Sequence, residues 1–362
     1  MNNVRIYLKN KLNQFAEWYR VHERKKDWVR FAALHTRERI LSKQQTDQAK
    51  KFYEPYCKIN PIFFEFYREK TGEFSPYFLP DDIYYGYVDP YFNDWTKAKH
   101  MDNKCFYASM FQNVRQPDTI FLRINGIWFD ADHNFCTKEK MTNVLEKENN
   151  LFVKIATESD GGHGVWHYND AKDIGGFWDF VSARTADIIV QKGVEQHERL
   201  NCLNSSSVNT IRVISLLRNS EVKIYSSVLR MGVNGCKVDN EASGGRTCGI
   251  CADGRLKPVG YNKYGECCLE HPDSHIAFYG YLIPGFNKVL DVVPMLHRQV
   301  PHFRLVSWDF AVDQDSEPVL IEANFKYGGV TIHQLNNGPV FGEDTECILA
   351  EVFDKRRRVR KR

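Results

Sequence analysis

The sequence predicts an α+β fold, a helical N-terminal region followed by a body that closes in a largely antiparallel sheet. Three observations predict it. Leu8, Leu12, Phe15 and Tyr19 recur at the spacing of one helix face. From Val208 onward, strand-like runs (NTIRVISLL, KIYSSVLRMGV) alternate with Gly/Asn turns. Near the end, the apolar runs Phe303–Val312 and Pro318–Ala323 flank a polar turn, Asp313–Glu317, which is a hairpin pattern.

Residues 1 to about 70 read as helices, with Trp28, Phe31, Leu34 and Ile40 continuing the apolar stripe. Lys9, Lys11, Arg20, Lys25, Lys26 and Arg30 lie among them. The plain reading is a helical cap whose charges face water. The sharper reading, a basic amphipathic segment in peripheral contact with a membrane surface, comes second. Residues 72–95 are rich in Pro, Tyr, Gly and Asp and read as a loop-rich connection. They close an N-terminal region of residues 1–95. The body runs over residues 96–350, and residues 351–362 form a basic tail read as a solvated, disordered end.

Within the body, DNKCFYASMFQNV reads as a short helix and TIFLRINGIWFD as two strands turning at Asn125 and Gly126. LFVKIA is a strand, TESDGGHGVWHY a glycine turn leading into another strand, and DIGGFWDFVSA a helix. ADIIVQKGV is a strand that stops at Gly193, and Glu343–Phe353 is a final helix.

Composition bounds the function. A chain of 362 residues that is 43% apolar and 26% charged is globular. It has no apolar run long enough to span a membrane and no signal-peptide core, and its ten cysteines are expected as free thiols in the cytoplasm. The net charge is +3, but seven basic residues sit in the tail, so the body is mildly acidic and does not suggest a nucleic-acid surface.

The chemistry-bearing residues cluster on strands. Glu322 and Asn324 are two apart and share a strand face, and Asp309 reaches that face from the partner strand. Two carboxylates and an amide are hard oxygen donors suited to Mg²⁺ held together with phosphate oxygens. Lys154 interrupts the apolar strand LFVKIA, and Gly161, Gly162 and Gly164 follow, where small residues let backbone N–H groups approach phosphates. The spacing is neither that of a P-loop nor that of a dinucleotide fold. Arg212 and Arg230 each interrupt an apolar strand and need anionic partners. A phosphoryl group or substrate carboxylate would serve, and so would a structural Asp or Glu. Cys248, Cys251, Cys267, Cys268 and His271 approach a zinc-ribbon count, but the second pair lacks its two-residue gap, so zinc is the lesser reading.

The Asp309…Glu322-x-Asn324 pattern resembles the metal-binding hairpin of the ATP-grasp superfamily. The stretch SWDFAVDQDSEPVLIEANFKYGGVTIHQ resembles the sugar-transfer-associated ATP-grasp family. The resemblance runs from about Lys104 to His333. It implies an ATP-grasp fold, with a lid at about 150–200 and an antiparallel C-terminal subdomain. It further implies that Lys104 and Lys154 contact phosphates, that Gln191 and Val194 face adenine, and that Glu195 or Glu198 meets the ribose. Asn240, with Gly244 and Gly245, would lie beside the triphosphate, and His197 is divided between a nucleotide role and a surface position. Where Cys251 stands the family suggests an aspartate-like residue.

The activity implied is ATP- and Mg²⁺-dependent ligation of a small-molecule or saccharide carboxylate to an amine through an acylphosphate. Lys154, Arg212 and Arg230 would stabilise the transferring charge, and cell-surface polysaccharide assembly is the implied setting. The rivals are a kinase on the same fold, with His333 as base, and a nucleotide-binding assembly factor that is not an enzyme.

Overall fold

The computed structural model describes residues 24–157, 164–170, 173–236 and 244–360. The chain divides into two compact units, one of residues 1–92, 264–266 and 329–362, the other of residues 93–263 and 267–328.

The described residues of the first unit are mostly helical. Ser42 and Gln45 cap the helix Lys43–Tyr53 reciprocally, each side chain accepting the other's backbone N–H. The helix Ile62–Thr71 ends at Gly72, whose φ of +76° provides the left-handed cap that a side chain would strain. Residues 72–95 differ from expectation. Asp81–Ile83, a π-helical turn Tyr84–Val88 and Asp89–Phe92 run almost without a break. Pro80 stands at the N-cap and Pro90 in a first turn, where a missing N–H costs little. Burial of Tyr84, Val88 and Phe92 then outweighs the punctuation.

Trp28 stacks on Tyr85 at 5.0 Å and Phe31 lies 6.3 Å from Phe66, as the apolar stripe predicts. The helix stops at residue 35, however, and Leu34 is 69% exposed. Lys25 does not simply face water, because its ammonium pairs with buried Asp82 at 2.9 Å. The stripe Leu8–Tyr19 lies outside the described residues. The terminal helix, Thr345–Arg360, carries regular structure through residues expected to be disordered, in keeping with the helix propensity of Lys and Arg.

The second unit holds two antiparallel sheets. The first has the order β2-β1-β5-β3-β4, with β1 Thr119–Ile124, β2 Ile127–Asp130, β3 Leu151–Ile155, β4 Val165–Tyr168 and β5 Ile188–Lys192. Its hairpin turns at Asn125 and Gly126, where φ is +50° and +80°. Helices Lys138–Leu145 and Ile174–Ser182 contribute Met141, Leu145 and Phe177 to its core. The second sheet has the order β10-β9-β8-β7-β6-β11-β12. Its strands are β6 Thr210–Arg218, β7 Glu221–Met231, β8 Arg246–Ile250, β9 Leu256–Tyr261, β10 Cys267–Cys268, β11 Leu305–Val312 and β12 Pro318–Asn324.

Trp308, Phe310, Val213 and Leu229 share one core with Val289 and Val293 of the helix Phe286–His297. There the Trp308 indole donates to the Ser215 hydroxyl at 2.8 Å, and Ser215 and His297 Nδ1 are 2.7 Å apart. Burial lowers His297 to about 4, against the pull of the Phe303 carbonyl, so the ring is neutral.

Candidate active site

Strand register assembles a row of charge on the sheet face opposite that core. Asp309 lies across from Arg212 of β6 on one side and Glu322 of β12 on the other, and Arg230 of β7 is opposite Thr210, two residues before Arg212. A bulge decides the β12 contribution. Phe310 pairs with Leu320 but Asp309 with Glu322, so Ile321 is an extra residue. Strict alternation would put Glu322 on the same side as Leu320, in the core. The bulge turns Glu322 and Asn324 to Asp309's face and lets Leu320 and Ala323 both stay buried.

The two arginines meet Asp309. Arg212 Nε donates to Asp309 Oδ1 at 2.7 Å and its Nη2 to Oδ2 at 2.5 Å, while Arg230 Nη1 donates to Oδ2 at 3.0 Å. Of the two kinds of partner that suit a buried arginine, these arginines have a structural carboxylate, and it is the residue expected to bind metal. Asp309 is 2% exposed. Burial alone would raise its pKa, but the Arg212 and Arg230 charges reverse this and hold it below its ordinary value. Asn324 Nδ2 donates to the Ser307 carbonyl at 3.2 Å and lies 3.5 Å from Asp309 Oδ2.

Lys104 reaches Glu322, Nζ to Oε1, at 2.7 Å. Its own backbone N–H donates to the Ala156 carbonyl at 2.9 Å, just past β3. Asn103 accepts the Cys105 N–H and donates to Asp187 at 2.8 Å, which fixes the turn that presents Lys104. Lys154 Nζ donates to Gln191 Oε1 at 3.1 Å, and Gln191 is buried. Burial, then the Lys104 charge, lower Lys154 to about 8, while Glu322 pulls the other way. Lys104, Lys154 and Glu322 therefore act on one another across the two sheets.

Other expected residues take different positions. Gly164 has φ of +82°, and a Cβ there would come 2.6 Å from Ile155 Cδ1, so only glycine fits. Gly161, Gly162 and Asn240 lie outside the described residues, while Gly244 has φ of +89°. Val194 is partly buried, and Glu195 and Glu198 are exposed. Glu195 accepts from Gln314 at 3.2 Å. His197 Nδ1 accepts the Arg199 N–H at 3.1 Å and caps the helix Glu198–Leu203.

Sequence reasoning missed Gln196, buried beside this strand exit. It accepts from Asn209 N–H at 2.9 Å and donates to the Asn204 and Ser207 carbonyls at 3.0 Å. A glutamine after a Gly-terminated strand was the only signal.

The cysteines stay apart from this chemistry. The Cys248 thiol is pushed up to about 12 by burial and donates to the Lys257 carbonyl at 3.3 Å. His271 Nε2 is 2.9 Å from the Gly232 carbonyl. Among the described residues, no three His, Cys, Asp or Glu side chains gather as a metal site. The Asp309–Glu322 pair supplies only two carboxylates, its third donor being an amide.

Residues 176–348, slightly under half of the chain, match the model of the sugar-transfer associated ATP-grasp family. Over those residues the chain resembles that family. No curated protein sequence matches it. Among solved structures it is similar to D-alanyl-alanine synthetase A from Vibrio cholerae, with 14% identity over 74% of this chain and 65% of that one, at a TM-score of 0.41. It is also similar to an L-amino acid ligase from Bacillus licheniformis, with 14% identity over 70% and 47%, at 0.40. A third is the D-alanine-D-alanine ligase from Coxiella burnetii, with 10% identity over 72% and 60%, at 0.40. The chain spans less than two thirds of the length of each.

Proposed function

We propose that the chain is an ATP- and Mg²⁺-dependent ligase that joins a carboxylate to an amine through an acylphosphate. The observation that carries this is the row Arg212, Asp309 and Glu322 on one sheet face, flanked by Arg230, with Lys104 and Lys154 acting on its open end. Four cations around two carboxylates suit a polyphosphate and a second anion better than any neutral ligand.

The donors fit magnesium. They are hard oxygens throughout, with no sulfur or imidazole among them. Glu322 and the amide oxygen of Asn324 would be the main ligands. Asp309 has spent three of its roughly four lone-pair directions on arginine N–H groups and keeps one on Oδ1. Bound there, the ion would neutralise phosphate oxygens.

Lys104 and Lys154 would hold the nucleotide phosphates, and Gln191, beside Lys154, would border the base. Arg212 and Arg230 would hold the carboxylate substrate in line with the γ-phosphate. The carboxylate oxygen attacks phosphorus, ADP leaves, and the amine then displaces phosphate from the acyl carbon. Work on a saccharide or its precursor is the setting suggested by the family's description.

An ¹⁸O-labelled carboxylate substrate tests this. The label is expected in released phosphate. Phosphate retained on a hydroxyl acceptor would establish the kinase instead, although its candidate base, His333, is 0% exposed in the helix Val330–Asn337. Binding of ATP with no turnover over a panel of carboxylates and amines would favour the assembly factor.

A further inference from the structure

We propose that Tyr107 is a positioning residue for the metal-binding strand, an inference that rests on the ligase reading. β12 ends the order of its sheet, and its outer edge is met before the bulge by Arg115, whose carbonyl accepts the Leu320 N–H at 2.8 Å. Glu322 and Asn324 stand at that edge, immediately after the bulge at Ile321. A bulged edge strand is the part of a sheet whose backbone is least determined by its ladder. Two donor side chains that must converge on one ion need the opposite.

Tyr107 supplies that constraint beyond the bulge, where the Arg115 contact has ended. Its hydroxyl donates to the Ala323 carbonyl at 3.1 Å and accepts the Ala323 N–H at 3.2 Å. In an antiparallel ladder the N–H and C=O of one residue point to the same side, so both groups of Ala323 face outward together. A hydroxyl can donate and accept at once, and here one oxygen closes both. Ala323 is the residue between Glu322 and Asn324, and its methyl group is buried in the core. Holding its peptide therefore sets the spacing and direction of the side chains on either side.

Tyr107 itself is packed into the core. It is 4% exposed, with its ring edge-on to Phe111 at 5.3 Å. Three residues earlier in the same segment, Lys104 grips the Glu322 carboxylate. One short stretch thus holds β12 by a side chain and by its backbone. A tyrosine in a short helix carries no local sign of such a role.

The test is titration of Mn²⁺ into the full chain saturated with ADP, beside ADP binding in EDTA. Tyr107→Phe keeps the ring and removes the hydroxyl. It is expected to weaken Mn²⁺ by about 10- to 100-fold, the loss typical when a group that orients a ligand is removed, and to leave metal-free ADP binding unchanged. Tyr53→Phe is the control, since Tyr53 is also buried and donates to the Phe78 carbonyl at 2.9 Å in the other unit. It should match the wild type in both measurements.

Wild-type Mn²⁺ affinity in Tyr107→Phe overturns the proposal. An equal loss of Mn²⁺ and metal-free ADP also overturns it, since that is the mark of a merely structural residue. Failure of the wild type with ADP to bind Mn²⁺ removes the ligase reading, and this inference with it. Should Tyr107→Phe not fold, hydrogen exchange at the wild-type Ala323 amide decides. A protected amide that slows further on adding Mn²⁺ supports the proposal, and one that does not respond to Mn²⁺ overturns it.

Discussion

The two sheets of the second unit treat positive charge in opposite ways. In the seven-stranded sheet, Arg212 and Arg230 are bound to the buried carboxylate of Asp309 through three N–H donors. In the five-stranded sheet, the described residues give Lys154 a hydrogen bond to the neutral amide of Gln191 and no salt bridge. The two environments shift the two groups differently. The arginines hold Asp309 ionised below its ordinary pKa, while burial and Lys104 bring Lys154 down to about 8. A paired cation is fixed in place and costs little to keep charged. A cation without a carboxylate is costly until an anion arrives, which suits a group that meets phosphate only when the nucleotide binds.

The sharpest test of that contrast lies between the sheets, at Glu322. Glu322→Gln removes the charge that Lys104 holds and the carboxylate proposed for magnesium. Mg²⁺-dependent ADP release is expected to fall to background with an unchanged unfolding transition. Wild-type turnover in the folded variant would remove the metal assignment.

Breaking the paired side should cost stability. Asp309→Ala leaves the buried Arg230 and the part-buried Arg212 without their carboxylate, and a loss of about 3–5 kcal/mol is expected in urea unfolding. A change below about 1 kcal/mol, the range of exposed pairs, would show that solvent reaches this cluster.

Breaking the unpaired side should cost binding instead. Lys154→Met is expected to weaken ATP strongly while leaving urea unfolding near that of the wild type. The pH dependence sharpens the point. Lys154 is charged below about 8 and neutral above it, so wild-type ATP affinity should fall as pH rises through 8, and the Lys154→Met profile should lack this step. For stability the sign is reversed. Between about 8 and the ordinary value of 10.5 the unfolded chain binds the extra proton, so this group's contribution to stability rises with pH over that window. A calorimetric affinity that is level from pH 7 to 9.5 would contradict the assignment.

The smallest effect is expected at Cys251, which belongs to neither cation set. Its backbone, rather than its thiol, makes the turn bonds, accepting the Gly254 N–H and donating to the Arg255 carbonyl. Cys251→Ser should leave ATP binding unchanged and stability within about 0.5 kcal/mol. Zinc in stoichiometric amount in the wild type, lost in this variant, would contradict that.

Much of this was legible locally. Period-two runs and an Asn-Gly turn located the strands, because side-chain alternation and positive-φ turn residues are properties of neighbours in sequence. Residues 81–92 were misread for the same reason, since Pro, Gly and Asp were counted as turn residues although burial of their aromatic neighbours sustains helical turns.

The sequence alone determined that Glu322 and Asn324 share a face, that Lys154 and the two arginines interrupt apolar strands, and that each therefore needs a reason to be there. It left open which anion the arginines hold, what turns Glu322 to Asp309's face, and what restrains the edge of β12. Those answers depend on register across strands 97 and 79 residues apart, on a one-residue bulge that reverses a side chain's face, and on a tyrosine hydroxyl bonded to a peptide 216 residues away. Only tertiary structure decides such contacts, because pairing energy is gained between groups that chain order leaves far apart.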